Sequence, residues 1–558
     1  MTLNDTTASD NAPTVTRLAQ RTGHSHHHGH SHSRSNTPAP TDESVSGPAS
    51  SESASDLPSV AASNSGTLSP REQCKRLKAN GDPLWAPIRP HSDWGDPQVL
   101  EHAAYAQLFF DLIFVAFALK IGNIFIDAVN TNNFVPNAAL ATSLYVSCES
   151  LWSTRNHFDA RFSADDLAHR GFSMVCGAVA AMVALSIGDL STMADPSKSN
   201  TLTYSCGIFA YNVLELVPYA EMTVSKTHRS SVVRAARGQV RRVGLASLVL
   251  LASVITAALK LPLTVTASLW FAFPILYRAQ IFVGIAMHFY SQANSVPMQI
   301  NFTVHRANEF ALLMLGEGVI SIITEDLQSS GDFFVTFYLA YFLLSLLALL
   351  HYSTTPCNEN WHALRRSSLR GIAWDVLNRA LGLFLISTAA GFRLVLGNLQ
   401  AGHAVPRPSA YLLCTSLTIC IGIILCTRVT HHGLTEEFFC VHASEVFVKG
   451  SLWTGKIVAA GIILVGPLMD APGWGLLLFC VACLVITLAL QIFDQRCFLE
   501  HHEQHVTMEV LERELRYATQ KGQKQRIAEL KKEMAIVKNE AIPELPTEEE
   551  VDEAVAMS

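Results

Sequence analysis

The chain has 558 residues, 49% hydrophobic and 16% charged, with a formal net charge of -7. The acidic excess lies largely in "PELPTEEEVDEA" near the C-terminus, and no basic face suited to nucleic acid is visible, so nucleic acid is not an expected partner. Both ends are polar, so the apolar residues concentrate in the middle, in segments long enough to cross a hydrocarbon core of about 30 Å; a soluble domain is excluded and an all-α, polytopic transmembrane helix bundle is predicted.

Residues 1–100 are rich in Ser, Thr, Asn, Ala, Pro and His and nearly free of aromatic residues before Trp85, a composition that predicts a disordered tail. No short apolar stretch with a small-residue cleavage site precedes the first span, so the tail is expected to stay cytosolic. Within it, "GHSHHHGHSHS" supplies His24, His26, His27, His28, His30 and His32 as weak metal ligands, although a low-complexity tract is the simpler reading.

Twelve spans are predicted, at 105–127, 138–154, 171–190, 201–221, 243–260, 266–289, 308–325, 333–352, 376–397, 410–428, 454–470 and 474–493. The links after the second, fourth, eighth and tenth carry Arg155, Arg161 and Arg170, then Lys226 to Arg242, then Arg365, Arg366 and Arg370, then Lys449, while the intervening links are nearly free of Lys and Arg. That alternation predicts both termini in the cytoplasm, with plasma membrane and endomembrane left open. It also makes "NFT" at 301–303 an unglycosylated sequon. The twelve cysteines are scattered through apolar segments, and "CVAC" at 480–483 reads as small hydrophobic packing.

Beyond the last span, Met508, Leu511, Leu515 and Ala518, and then Ile527, Leu530, Met534 and Val537, repeat at helical spacing. Residues 496–540 thus read as two amphipathic helices hinged at "KGQK", folded on each other or pairing with a second copy or a partner through 505–538. Residues 541–558 form an acidic, disordered tail.

A charge at the bilayer centre costs about 3 kcal/mol on insertion scales, so intramembrane carboxylates are candidates for ion or substrate binding. Asp111, Glu149, Glu215, Glu309 and Glu317 lie within or beside the spans, with Arg278, His288 and Arg393 as counter-charges. Glu309 can pair with His305 or Arg306 at the cytosolic mouth, whereas Glu317, flanked by Gly316 and Gly318, lies about 12 Å further along the helix. At the cytosolic face, Arg155, Asp159, Arg161, Asp165 and Asp166 form a gate of ion pairs, an anionic-lipid contact or a solvated loop with Asp166 at a helix start.

"QLFFDLIFVAF" together with "HR..EF.LLMLGEGV" resembles the bacterial low temperature requirement A (LtrA) family, in the form its fungal homologues take, and "WSTRNHFDARFSADDLAHR" is similar to the family's segment after the second span. The resemblance covers roughly 100 to 495. It places Asp111 at the aspartate of the family's "ELFFDL" and Glu317 at the glutamate of its "LGE" signature, with Gln107 and His305 standing where bacterial members usually have Glu. It implies a multi-spanning membrane protein associated by name with growth at low temperature, and no defined reaction.

Two halves of six spans would put Asp111 and Glu317 in the first helix of each, at comparable depth around a midplane cavity. The expected function is that of a transporter binding protons, cations or a small polar solute at these carboxylates, in contact with membrane lipids. A sensor or scaffold acting through the tails is the alternative. An intramembrane enzyme using Asp111, His288 and Glu317 ranks lower, because H-E-x-x-H and G-x-S-x-G motifs are missing, and no cofactor is expected.

Overall fold

A computed structural model describes residues 84–91, 105–131, 133–164, 166–195, 198–225, 228–286, 296–325, 330–356, 362–400, 405–432, 443–520 and 524–537. The His24 to His32 tract, Asp165, His288 and the acidic tail lie outside them.

The helices, in chain order, are α1 (Tyr105–Asn130), α2 (Phe134–Asp159), α3 (Leu167–Ser186), α4 (Leu190–Ala194), α5 (Asn200–Leu214), α6 (Leu216–Val224), α7 (Ser230–Ala258), α8 (Leu263–Ala286), α9 (Ile300–Ile323), α10 (Gly331–Thr354), α11 (Ala363–Arg366), α12 (Ser368–Gln400), α13 (Arg407–His432), α14 (Ala443–Ile462), α15 (Gly473–Gln520) and α16 (Lys524–Val537). The single sheet among the described residues pairs Arg89–Pro90 with Phe162–Ser163, antiparallel. Each predicted span overlaps a helix, α5 and α6 sharing one.

Nine of these helices are long and apolar enough to cross a membrane, which makes the chain an all-helical, multi-spanning bundle. The overlapping helices that miss this standard are α2, the α5–α6 pair and α9, and they carry Glu149, Glu215, Arg306, Glu309 and Glu317. Their polar side chains lower the hydropathy because they face protein rather than lipid. In α2, Ser143, Ser147, Ser150, Ser153 and Thr154 are all buried, and small side chains at such positions let neighbouring backbones come close.

α1 packs against α2, α3, α9 and α12, and α12 packs against α9 and α13. In the apolar window of α12, 78% of residues are buried, against 28% in α7 and 33% in α8, so α12 is central and α7 and α8 are peripheral. On α7, Leu245, Leu248 and Ile255 are exposed, an arrangement that water would penalise and lipid does not.

Local rules fix the ends. α5 gives way to α6 at Glu215 because Pro218 has no N–H to offer the carbonyl of Leu214. α7 stops where Lys260 turns left-handed at φ 55°, its N–H donating to Ala257 and that of Leu261 to Thr256, with Pro262 next.

Several boundaries differ from expectation. Leu84–His91, inside the stretch assigned to the tail, is ordered: Ile88 is fully buried beside Phe158, Phe162 and Tyr219. Arg234, Arg237, Arg241 and Arg242 lie in the first turns of α7 rather than in a link, and Lys449 is buried within α14. The last predicted span continues without a break to Gln520. The chain divides into two compact units, Asn80–Val510 and a second that includes the residues from Leu511 onward. Within the second, Leu511 and Leu515 pack on Ile527, Leu530 and Met534, so the two amphipathic stretches fold on each other.

Candidate functional site

α1 and α9 bring the two singled-out stretches into contact. Asp111, 2% exposed, receives two hydrogen bonds from Arg306: NH1 donates to Oδ2 at 2.6 Å and NH2 to Oδ1 at 2.7 Å. Trp152 Nε1 of α2 donates to the same Oδ1 at 2.9 Å, and its ring lies 5.6 Å from the Arg306 guanidinium. Arg306 NH1 also reaches Glu309 Oε2 at 2.7 Å, while His305 Nε2 lies 3.1 Å from Glu309 Oε1. A forked guanidinium suits this bidentate pairing, and the extra donors reduce the cost of burying the charges.

A second centre joins α2, α8 and α12. Glu149 accepts from Arg278 NH2 at 2.6 Å through Oε2 and from Arg379 NH1 through Oε1. Arg379 NH2 also donates to Asp375 at 2.7 Å and lies 3.1 Å from His157 Nε2, and the Tyr145 hydroxyl donates to the Arg379 carbonyl at 2.6 Å. Arg278 therefore serves Glu149, and Arg393 serves Glu325 at 3.1 Å and Asn123 at 2.6 Å.

Two buried carboxylates lack such partners. Glu317, 1% exposed, accepts from Ser321 Oγ at 2.5 Å through Oε1, and its Oε2 has no hydrogen bond. A methyl group added at Gly122 of α1 would stand 3.6 Å from Oε1, an ordinary contact distance, so the carboxyl faces α1 at this position. Neither oxygen of Glu215, in the break between α5 and α6, is held in a hydrogen bond of good geometry; its neighbours are the buried Tyr211 hydroxyl one turn earlier and the Arg155 guanidinium.

These placements correct the convergence expected of Asp111 and Glu317. Asp111 faces Arg306 and Gly122 faces Glu317, an offset of 195 residues in both cases, so α1 and α9 run parallel with a constant register. The two carboxylates are therefore about three turns, or about 16 Å, apart in depth.

At the end of α2, Arg155 pairs with Asp159 at 3.2 Å on its own helix and donates to Ser173 at 2.8 Å. Gln107 donates to Asp159 Oδ2 at 2.9 Å. With Tyr211 and Arg306 these residues line a cavity of about 40 Å³, large enough for water. Arg161 donates to the His157 carbonyl at 3.0 Å. Asp166 caps α3, accepting from the amides of His169 at 2.8 Å and Ala86 at 3.1 Å, and the His169 ring bridges it to Glu221. Burial would raise the Asp166 carboxyl, but these donors outweigh it and hold it below the usual carboxylate range.

Sequence reasoning missed a further buried cluster, in which Lys456 Nζ donates to Asp494 at 2.6 Å and Gln491 at 3.0 Å, with Arg428 2.9 Å from the same Asp494 oxygen. The signal was present: a lysine inside "WTGKIVAAG" requires a partner. Arg379, inside "LNRALGLFL", announced itself in the same way. Among the described residues no group of three or more His, Cys, Asp or Glu is placed to hold a metal, and Cys480 and Cys483 are free and buried.

The profile described as "Bacterial low temperature requirement A protein (LtrA)" matches residues 102–491. The chain belongs to the LtrA family. No curated protein matches the chain. In this LtrA chain the two signature-like stretches are bound together by the Asp111–Arg306 pair, and Gln107, where bacterial members usually have Glu, acts as a donor to Asp159. A carboxylate at that position would set like charges together.

Proposed function

We propose that this LtrA protein is a transporter-like bundle of twelve spans with both termini in the cytoplasm, in which Glu317 binds a proton and couples its release to movement of a small polar solute. One observation carries the reading: Glu317 is buried with an unpartnered oxygen, while Asp111 and Glu149 are each engaged by arginine. A carboxyl with one serine hydroxyl satisfies a proton, whereas a cation such as calcium asks for six or more oxygens. Glu215 beside Tyr211, in the break between α5 and α6, supplies a second proton-binding group. The enzyme reading loses support, since Asp111 and Glu317 stand about 16 Å apart and cannot act on one bond.

The test is proton flux into liposomes holding the full chain, a pH-sensitive dye and a mixture of small polar metabolites as the coupled solute. Wild-type protein should dissipate an imposed pH gradient, Glu317→Gln should reduce the rate at least about tenfold, and the exposed Arg407→Gln should leave it unchanged. Equal rates for wild type and Glu317→Gln would overturn the assignment.

A further inference from the structure

A cavity of about 1570 Å³ opens between α7, α8 and the start of α12, well beyond the roughly 300–1,000 Å³ of small-molecule pockets. One face of α7 lines it from end to end. Arg234, Arg237 and Arg241 come first, and Leu245, Leu248 and Ala252 follow at the same helical spacing. The stripe extends about 27 Å, close to the thickness of a hydrocarbon core, and changes once from basic to apolar.

On the other walls Arg161 and Arg278 add positive charge and Leu269, Leu276 and Ile372 add apolar surface, while Arg242 lies beside the α7 stripe. The single carboxylate among the lining residues, Asp375, is already held by Arg379 at 2.7 Å. Arg237 and Arg241 are exposed and form no ion pair with the described residues.

We propose that this cavity binds one anionic phospholipid, its phosphate headgroup among the α7 arginines and its acyl chains along the leucines. Charge and polarity select this occupant together: a free anion would leave the apolar wall empty, and a zwitterionic lipid would add a cation to a basic end. The site also reaches the ion-pair network, because Arg278 lines the cavity and holds Glu149, so a headgroup phosphate competes for the same guanidinium.

The experiment uses the full chain, purified in mild detergent and stripped of lipid, then exposed to phosphatidic acid, to phosphatidylcholine with the same chains, and to inorganic phosphate. Native mass spectrometry reads the bound lipid, and thermal unfolding reads stabilisation. One phosphatidic acid should be retained at least about tenfold more strongly than phosphatidylcholine. Arg237→Gln with Arg241→Gln should abolish that preference, Leu248→Trp should block both lipids, and Arg407→Gln should change neither. Equal retention of the two lipids, stabilisation by phosphate matching that by phosphatidic acid, or a preference that survives the double substitution would each overturn the proposal. The unliganded melting temperature of each variant separates loss of the site from loss of the fold.

Discussion

The interface between α1 and α9 holds two carboxylates in one register with opposite surroundings. Asp111 meets a guanidinium and an indole N–H, which also contact each other. Eleven residues further along both helices, Glu317 meets a glycine on α1 and the serine one turn ahead on its own helix. The same packing thus yields a locked charge and an open one, and the difference lies wholly in which side chains the neighbours supply. Buried pairs like the first fasten helices together, whereas a buried carboxyl with a spare oxygen is available for a proton.

The largest expected effect comes from unlocking the first. Arg306→Leu leaves Asp111 buried without its main donors and should cost about 3–5 kcal/mol, read as a lower unfolding midpoint of the purified protein. Adding Asp111→Asn should recover much of the loss, because the uncompensated charge goes with it. Additive losses in that double-mutant cycle would break the comparison by showing that the pair is not coupled.

A smaller effect tests the start of α3, where Asp166 is satisfied as fully as Asp111 but by two backbone amides and the His169 ring. Asp166→Ala should cost about 1 kcal/mol for the lost cap of α3. Since the folded carboxyl is held below its unfolded value of about 3.9, its contribution is complete above that pH and is lost as pH falls through the lowered folded value. Unfolding midpoints of wild type and variant should therefore converge in strong acid, and a gap that stays constant with pH would assign the residue to packing alone.

How much of this was legible in advance depended on range. The spans could be read because a run such as "YLAYFLLSLLALL" in α10 reports its own environment, and the pairing of Glu309 with His305 and Arg306 could be read because i, i+4 and i, i+3 neighbours share a face. The arginine partners of Asp111 and Glu149 lie 195 and 129 or more residues away, and nothing local to "LFFDL" says which arginine arrives. Depth misled for the same reason: counting from helix starts put Asp111 and Glu317 level, whereas α9 meets Asp111 at Arg306 and Glu317 faces α1 eleven residues further on, at Gly122. Lys456 and Arg379 stand out as charges in apolar runs, but nothing local to them names Asp494 or Glu149 as the partner.

The smallest expected change in stability is the sharpest test of the contrast. Glu317→Gln keeps the shape of the side chain and its acceptor for Ser321, and removes only the capacity to ionise. If Glu317 were a structural anchor like Asp111, the substitution would lower the unfolding midpoint about as far as loss of a buried charge pair does. In the reading argued above it should shift stability by less than about 1 kcal/mol, in either direction, because no cation is left stranded. Proton flux should fall at least about tenfold in the same preparation. Stability retained with flux lost separates the two carboxylates by role; stability lost with Glu317→Gln would return both to the frame of the bundle and leave Glu215 as the remaining buried carboxyl in the helices read as spans that no described donor satisfies.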